Sequence, residues 1–235
     1  MDTWVDIGII VVMFVVGDRM LYCAPSIKVG FRFDDPSIQK PLLPLSVDYR
    51  VVIYGTSLAI MAILYILENL FAEEQVYRMY WKYVFGWMCI ANINMFVKSF
   101  AGRLRPNFLA MNRWDRSSPH PTGFSEDHPL PEPKTSLDKM YVMESRKSFF
   151  SGHSAMGMYA ACFIAIYCHQ MLPRNLIVLI FQLFSLLIGM YPGLTQWRNY
   201  WHHWDDVAVG YLLGAVSAFV SYFYIIHDKT HFNNN

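Results

Sequence analysis

"RNYWHHWDDVAVGYLLGAVSAFVSYFYII", residues 198–226, holds two unlike halves in one stretch. From Val207 to Ile226 the chain is apolar over the roughly 20 residues that a helix needs to cross a bilayer. Just ahead of that run stand two histidines and two aspartates, an expensive set of groups to bring to a membrane rim unless they have work to do. The apolar half predicts a membrane helix, and the polar half predicts a site at its mouth.

Working outward, five more stretches read as spans: Trp4 to Leu21, Val51 to Phe71, Tyr83 to Val97, Ala155 to Met171 and Leu176 to Leu194, the third and fourth being short. Composition agrees. Of the 235 residues 54% are hydrophobic, 17% aromatic and only 16% charged, more apolar than an average soluble domain. The expectation is an all-α bundle of six transmembrane helices forming a single domain over residues 1–235. Polar residues inside the spans (Asp6, Glu68, Asn92, Asn94, Gln182) should face the bundle interior, where they escape lipid. The opening "MDTWVDIG" has no basic flank and no small-residue cleavage pattern, so the first run reads as a retained span. A net charge of +1 gives no global basic field and argues against a nucleic-acid partner. Cys89, Cys162 and Cys168 fall inside spans and only Cys23 lies in a connection, so the loops hold no pair for an internal disulfide.

Two connections are long, residues 22–50 and 98–153, and with six spans both lie on the same membrane face as the connection after span five. The second contains "SSPHPTGFSEDHPLPEPK", whose Pro and polar content suits an exposed irregular excursion. Every candidate site residue sits in or beside these three connections. Most of the Lys and Arg residues sit there too, and read literally the positive-inside rule would turn that face to the cytosol. Cations recruited for a substrate, however, are not topological signals.

Three clusters carry chemistry. In "KSFAGRLRP", residues 98–106, Lys98, Arg103 and Arg105 emerge together ahead of a helix-breaking Pro. A lone cation at a span end ordinarily snorkels, whereas three together form an anion clamp. In "SFFSGHSAMGMY", residues 148–159, Ser151 is a candidate N-cap, Gly152 permits close backbone approach, and His153 stands where helix amides favour an anion. Simple capping is the competing account. In the opening stretch His202 and Asp206 are four apart, so on a helix the carboxylate can hold the imidazole tautomer, while His203 and Asp205 point elsewhere. An interfacial aromatic belt accounts for Trp197, Tyr200, Trp201 and Trp204 but not for a His-Asp pair. Adjacent histidines diverge by roughly 100° on a helix and make a poor joint metal site. A nucleophile with its carboxylate, an acid and an anion cradle are the parts for displacing a phosphoryl group without metal or cofactor.

These residues resemble the lipid phosphate phosphatases of the type 2 phosphatidic acid phosphatase superfamily, whose signatures run K-x6-RP, P-S-G-H and S-R-x5-H-x3-D. Lys98 to Pro106 matches the first in full; "FSGH" matches the second with Phe150 for Pro; "TQWRNYWHHWDD" aligns with the third through His202 and Asp206. The "SIK" segment of the first long loop, the "GRLRPNF" context and the six-span layout extend the resemblance over nearly the whole chain. It implies that His202 attacks phosphorus to give a phosphohistidine, that His153 protonates the leaving alkoxide, and that Asp206 orients His202. It further implies that Lys98 and Arg105 hold phosphate oxygens, with donors from Ser151 and Gly152.

The implied substrates are phosphatidate, lysophosphatidate, sphingosine 1-phosphate and ceramide 1-phosphate. The implied setting is the plasma membrane or an endomembrane, with the site extracellular or lumenal and both termini cytosolic. A homo-oligomer in the bilayer is compatible with all of this. One position departs from the pattern, because Thr195-Gln196 stands where the third signature has Ser-Arg. Either the cation is lost, or Arg198, four residues before His202, takes its place from the same helical face. Two other readings stay open: a catalytically weak relative that binds or sequesters lipid phosphates, and a transporter lined by the intramembrane polar residues.

Overall fold

The structure is a computed structural model that describes residues 8, 11–13, 15, 24–71, 76–115, 117 and 119–224. Most of the expected first span, with Asp6, lies outside the described residues, as does Cys23. Among the described residues the architecture is all-helical: a π-helical turn Val51–Gly55 leads into α1 (Thr56–Phe71), followed by α2 (Val76–Ala101), the short α3 (Phe108–Met111), α4 (Ser136–Glu144), α5 (Gly152–Met171), α6 (Leu176–Arg198) and α7 (Trp204–Tyr224). The other five expected spans are helical over their described residues, the last of them as far as Tyr224. The third is not short, since α2 runs for 26 residues. Among the described residues three helices are long and apolar enough to cross a membrane: Met79–Ala101, Leu176–Arg198 and Trp204–Phe223.

Helix α5 is central, packed along both α6 and α7. Its Gly, Ser and Ala residues make that possible. A Cβ at Gly189 would lie 2.7 Å from the Gly157 carbonyl oxygen, and one at Gly210 would lie 2.7 Å from that of Ser151. Close backbone approach of this kind is how membrane helices gain dispersion contact where no hydrophobic drive exists between them. The core gathers Tyr83, Tyr159, Phe163 and Leu64, with the Tyr159 hydroxyl donating to the Tyr83 carbonyl at 2.7 Å. By contrast α6 exposes Leu176, Ile177, Leu183, Phe184 and Leu187, as a lipid-facing surface should.

Polar span residues behave as expected where they are described. Asn94 is buried and donates to the Phe150 carbonyl at 2.7 Å. Gln182 donates to Ala165 on α5 at 2.9 Å, and Asn92 to the Met13 carbonyl of the first span at 3.1 Å. The Glu68 side chain lies outside the described residues.

The two long connections fold onto one another. Phe31, Phe33 and Ile38 of the first pack with Leu104, Phe108 and Leu109 of the second in a small core of their own. Main-chain bonds from Ile27 N to Ser99 O (2.9 Å) and from Lys40 N to Pro106 O (2.8 Å) tie the pair together. The Pro-rich patch, as far as it is described (117 and 119–134), is irregular and mostly exposed. Downstream of it α4 begins with a capping box, Thr135 and Asp138 each bonding the other's backbone amide. That helix returns the chain to the mouth of the bundle.

Candidate active site

Lys98 lies in the last turn of α2 and is buried. The helix stops at Gly102, whose φ of +58° only glycine adopts freely. Beyond this turn the two arginines part company. Arg105 is fastened by three bonds: Nε to the Glu144 carbonyl (2.7 Å), Nη2 to the Glu144 carboxylate (2.9 Å) and Nη1 to the Trp201 carbonyl (3.0 Å). Its guanidinium also lies over the Trp201 ring, 5.4 Å from the centroid. Five N–H donors make this consistent with a remaining free edge. Arg103, expected in the same clamp, instead bonds Asp205 (2.7 and 3.1 Å) and Asp206 (2.7 Å). It is an ion-pair partner behind the site, not an anion ligand in it.

His202 and Asp206 do meet, though not along one helix. Helix α6 ends at Arg198, Asn199 caps it, and Tyr200 takes a left-handed φ of +61°. The amides of Trp201 and His202 then both turn back to the Gln196 carbonyl, at 3.0 and 3.4 Å. His202 therefore precedes α7, and Asp206 occupies the first turn of that helix. Its carboxylate accepts from the His203 amide (2.9 Å), the Ser148 hydroxyl (2.6 Å) and Arg103, and stands 3.7 Å from His202 Nδ1. That last distance is too long for a hydrogen bond. Nδ1 has no hydrogen-bond partner among the described residues, and the carboxylate of Asp206 faces it. Burial pushes the His202 imidazole well below the ordinary histidine range, against the opposing pull of Asp206, and keeps it neutral. His203 points away, its Nε2 donating to the Leu104 carbonyl at 3.0 Å.

Ser151 caps α5, its hydroxyl accepting from the Ser154 amide at 3.4 Å, and its own amide donates to the Asp206 carbonyl at 3.0 Å. The first-turn amides of Gly152 and His153 have no intrahelical acceptor. His153 Nε2 lies 3.2 Å from the Val47 carbonyl, and because a carbonyl only accepts, that nitrogen carries the proton.

A cavity of about 890 Å³ opens between these parts. Lys98, Arg105, His153 and His202 all line it; Ser151, Gly152 and Asp206 do not. Arg198 is brought to none of them. It is exposed and does not line the cavity, whereas Gln196 does and is buried. Two residues along a helix are about 200° apart, so the turn that directs Gln196 inward directs Arg198 outward. The four-residue spacing to His202 fails as an argument because the helix ends at Arg198.

The structure adds Glu144 and Tyr49, which sequence reading passed over. Burial opposes ionisation of Glu144, yet Arg105, Lys98 and Lys147 together hold its carboxyl below the usual range. A single Glu in a polar loop carries no signal by which it could have been singled out. Apolar side chains line the cavity as well, Leu42, Leu43 and Leu45 of the first long connection and Met140 and Met143 of α4. Among the described residues no three His, Cys, Asp or Glu side chains converge as a metal site would require.

A protein-family model described as the PAP2 superfamily matches residues 79–229. Phospholipid phosphatase 2 of Homo sapiens is 31% identical over 221 residues, covering 84% of this chain and 73% of its own length. Phospholipid phosphatase 1 of Rattus norvegicus is 30% identical over 154 residues, 64% of this chain and 53% of its own. The phospholipid phosphatase homolog 1.2 homolog of Caenorhabditis elegans is 33% identical over 129 residues, 53% and 37% respectively. No solved structure matches the chain.

Proposed function

We infer that this chain, which belongs to the PAP2 superfamily, is an integral membrane phosphatase that hydrolyses phosphate monoesters of lipids through a phosphohistidine. One observation carries the reading: a buried, neutral His202, backed by the carboxylate of Asp206, lines the same cavity as the cations Lys98 and Arg105.

In this reading Lys98 and Arg105 take the phosphate oxygens, helped by the amides of Gly152 and His153. With Nδ1 turned to Asp206, Nε2 of His202 carries the lone pair and forms the bond to phosphorus as the ester P–O bond breaks. The departing alkoxide takes its proton from His153 Nε2, which exchanges its bond to the Val47 carbonyl for one to the leaving oxygen. Water then attacks the phosphohistidine, giving its proton to His153 as the P–N bond breaks, so that inorganic phosphate leaves and both histidines are restored. The apolar lining by Leu42, Leu43, Leu45, Met140 and Met143 supports a lipid rather than a sugar or nucleotide ester. Phosphatidate, lysophosphatidate, sphingosine 1-phosphate and ceramide 1-phosphate are the proposed substrates. The proposed site faces the extracellular or lumenal side.

Gln196, a neutral side chain in the cavity, favours a second reading in which the chain binds lipid phosphates and turns them over weakly. Phosphate release from phosphatidate and sphingosine 1-phosphate by detergent-solubilised protein separates the two. The enzyme reading expects turnover that survives EDTA, since phosphate charge is met by Lys98 and Arg105. Loss of turnover in EDTA with recovery in magnesium would overturn the metal-free mechanism. Tight binding without turnover would leave the sequestering protein.

A further inference from the structure

We propose that Gln196 is itself a phosphate-binding residue, donating through its neutral amide, so that the phosphate is held by two cations and one uncharged donor. The proposal rests on the phosphatase reading above. Three observations support it. Gln196 is only 1% exposed yet lines the cavity that Lys98, Arg105, His153 and His202 share. Its Nε2 has no acceptor among the described residues, and a buried N–H without one is costly to keep. Its main-chain carbonyl receives the amides of both Trp201 and His202, so the backbone of Gln196 is tied to that of the attacking histidine.

A phosphate oxygen in the cavity supplies the missing acceptor. Glu144, the carboxylate that lines the cavity, is engaged with Arg105 instead. Uncharged donation also sets the electrostatics. Three cations line the cavity, Lys98, Arg105 and Lys139, and with the carboxylate of Glu144 they leave two net positive charges, to which the Gln196 amide adds none. Such a cavity holds a phosphate ester by hydrogen-bond geometry as much as by charge.

The test uses the full chain in detergent and inorganic orthovanadate, which adopts the five-coordinate geometry of the transferring phosphoryl group. Wild type, Gln196→Leu and Gln196→Met are compared by direct vanadate binding, by kcat/KM on lysophosphatidate and by thermal midpoint. Vanadate affinity and kcat/KM should each fall by about tenfold or more in both variants, as for a lost hydrogen bond to a charged group. The thermal midpoint should stay level or rise, because the unpartnered donor is gone. A purely structural amide predicts the reverse, a lower midpoint with vanadate affinity kept. Vanadate affinity within twofold of wild type in either folded variant overturns the proposal while leaving the phosphatase reading intact. A wild type that neither binds vanadate nor releases phosphate overturns the phosphatase reading, and this proposal with it.

Discussion

Arg105 and Glu144 are joined twice, Nη2 to the carboxylate at 2.9 Å and Nε to the main-chain carbonyl at 2.7 Å, in a cavity that the phosphatase reading fills with phosphate. A carboxylate beside an anion site repels the ligand but also holds the guanidinium plane still. Glu144→Gln keeps an acceptor for Arg105 and deletes the charge. Inorganic phosphate should then inhibit about tenfold more strongly. Glu144→Ala also unties Arg105 and should lower kcat/KM by about tenfold. An unchanged inhibition constant for phosphate in Glu144→Gln would rule out a charge role for this residue.

His202→Ala should abolish turnover and the acid-labile phosphoprotein formed from a radiolabelled lipid phosphate. His203→Ala should retain both within a few-fold, because its ring points at Leu104 rather than into the cavity. Equal loss in both variants would remove His202 from its role as nucleophile.

The pH dependence follows from burial of His202. Its proton affinity is depressed in the folded protein, so the imidazole stays neutral at pH 7 and protonates only well below its ordinary value of about 6.5. Activity should therefore hold level down through pH 6.5 on the acid side. Stability has the matching sign, since the unfolded chain takes up a proton near pH 6.5 that the folded chain refuses, and it should decline as pH falls below that point. Asp206→Asn removes the influence that opposes the depression and should move the acid limb of kcat/KM lower still. A limb that rises instead would contradict the arrangement.

Arg103 bridges the carboxylates of Asp205 and Asp206, the latter fully buried. Arg103→Ala should cost about 1–2 kcal/mol of stability, less than a wholly buried pair because a third of the Arg103 side chain meets solvent. kcat should fall with little change in KM, since the loss acts through Asp206 on His202. A raised KM with kcat kept would mean that Arg103 binds substrate.

Arg198→Ala should change kcat/KM by less than twofold, as its side chain is exposed away from the cavity. Gln196→Arg adds charge where the phosphate sits and should tighten inhibition by inorganic phosphate by about tenfold. A large loss of activity in Arg198→Ala would show that it reaches the site after all.

Much of this protein is written in local pattern. Apolar runs of membrane length predicted the helices, because each satisfies its backbone internally and needs no distant partner to be recognised. The three clusters predicted Lys98, Arg105, His153 and His202, and all four line one cavity. What local pattern could not carry was direction. Arg103 and Arg105 are two residues apart, yet the first turns to the α7 carboxylates and the second to Glu144, according to which distant element packs beside each. Gln196 and Arg198 were separated by where α6 ends and by the left-handed turn at Tyr200, a boundary that decides which side chain faces inward. Glu144 enters the site because α4 folds back over the bundle after a long irregular excursion, and the contact it makes with Arg105 spans 39 residues of sequence. Spacing along a chain fixes neighbours only while a helix continues; past its end, packing between elements chooses which charges meet.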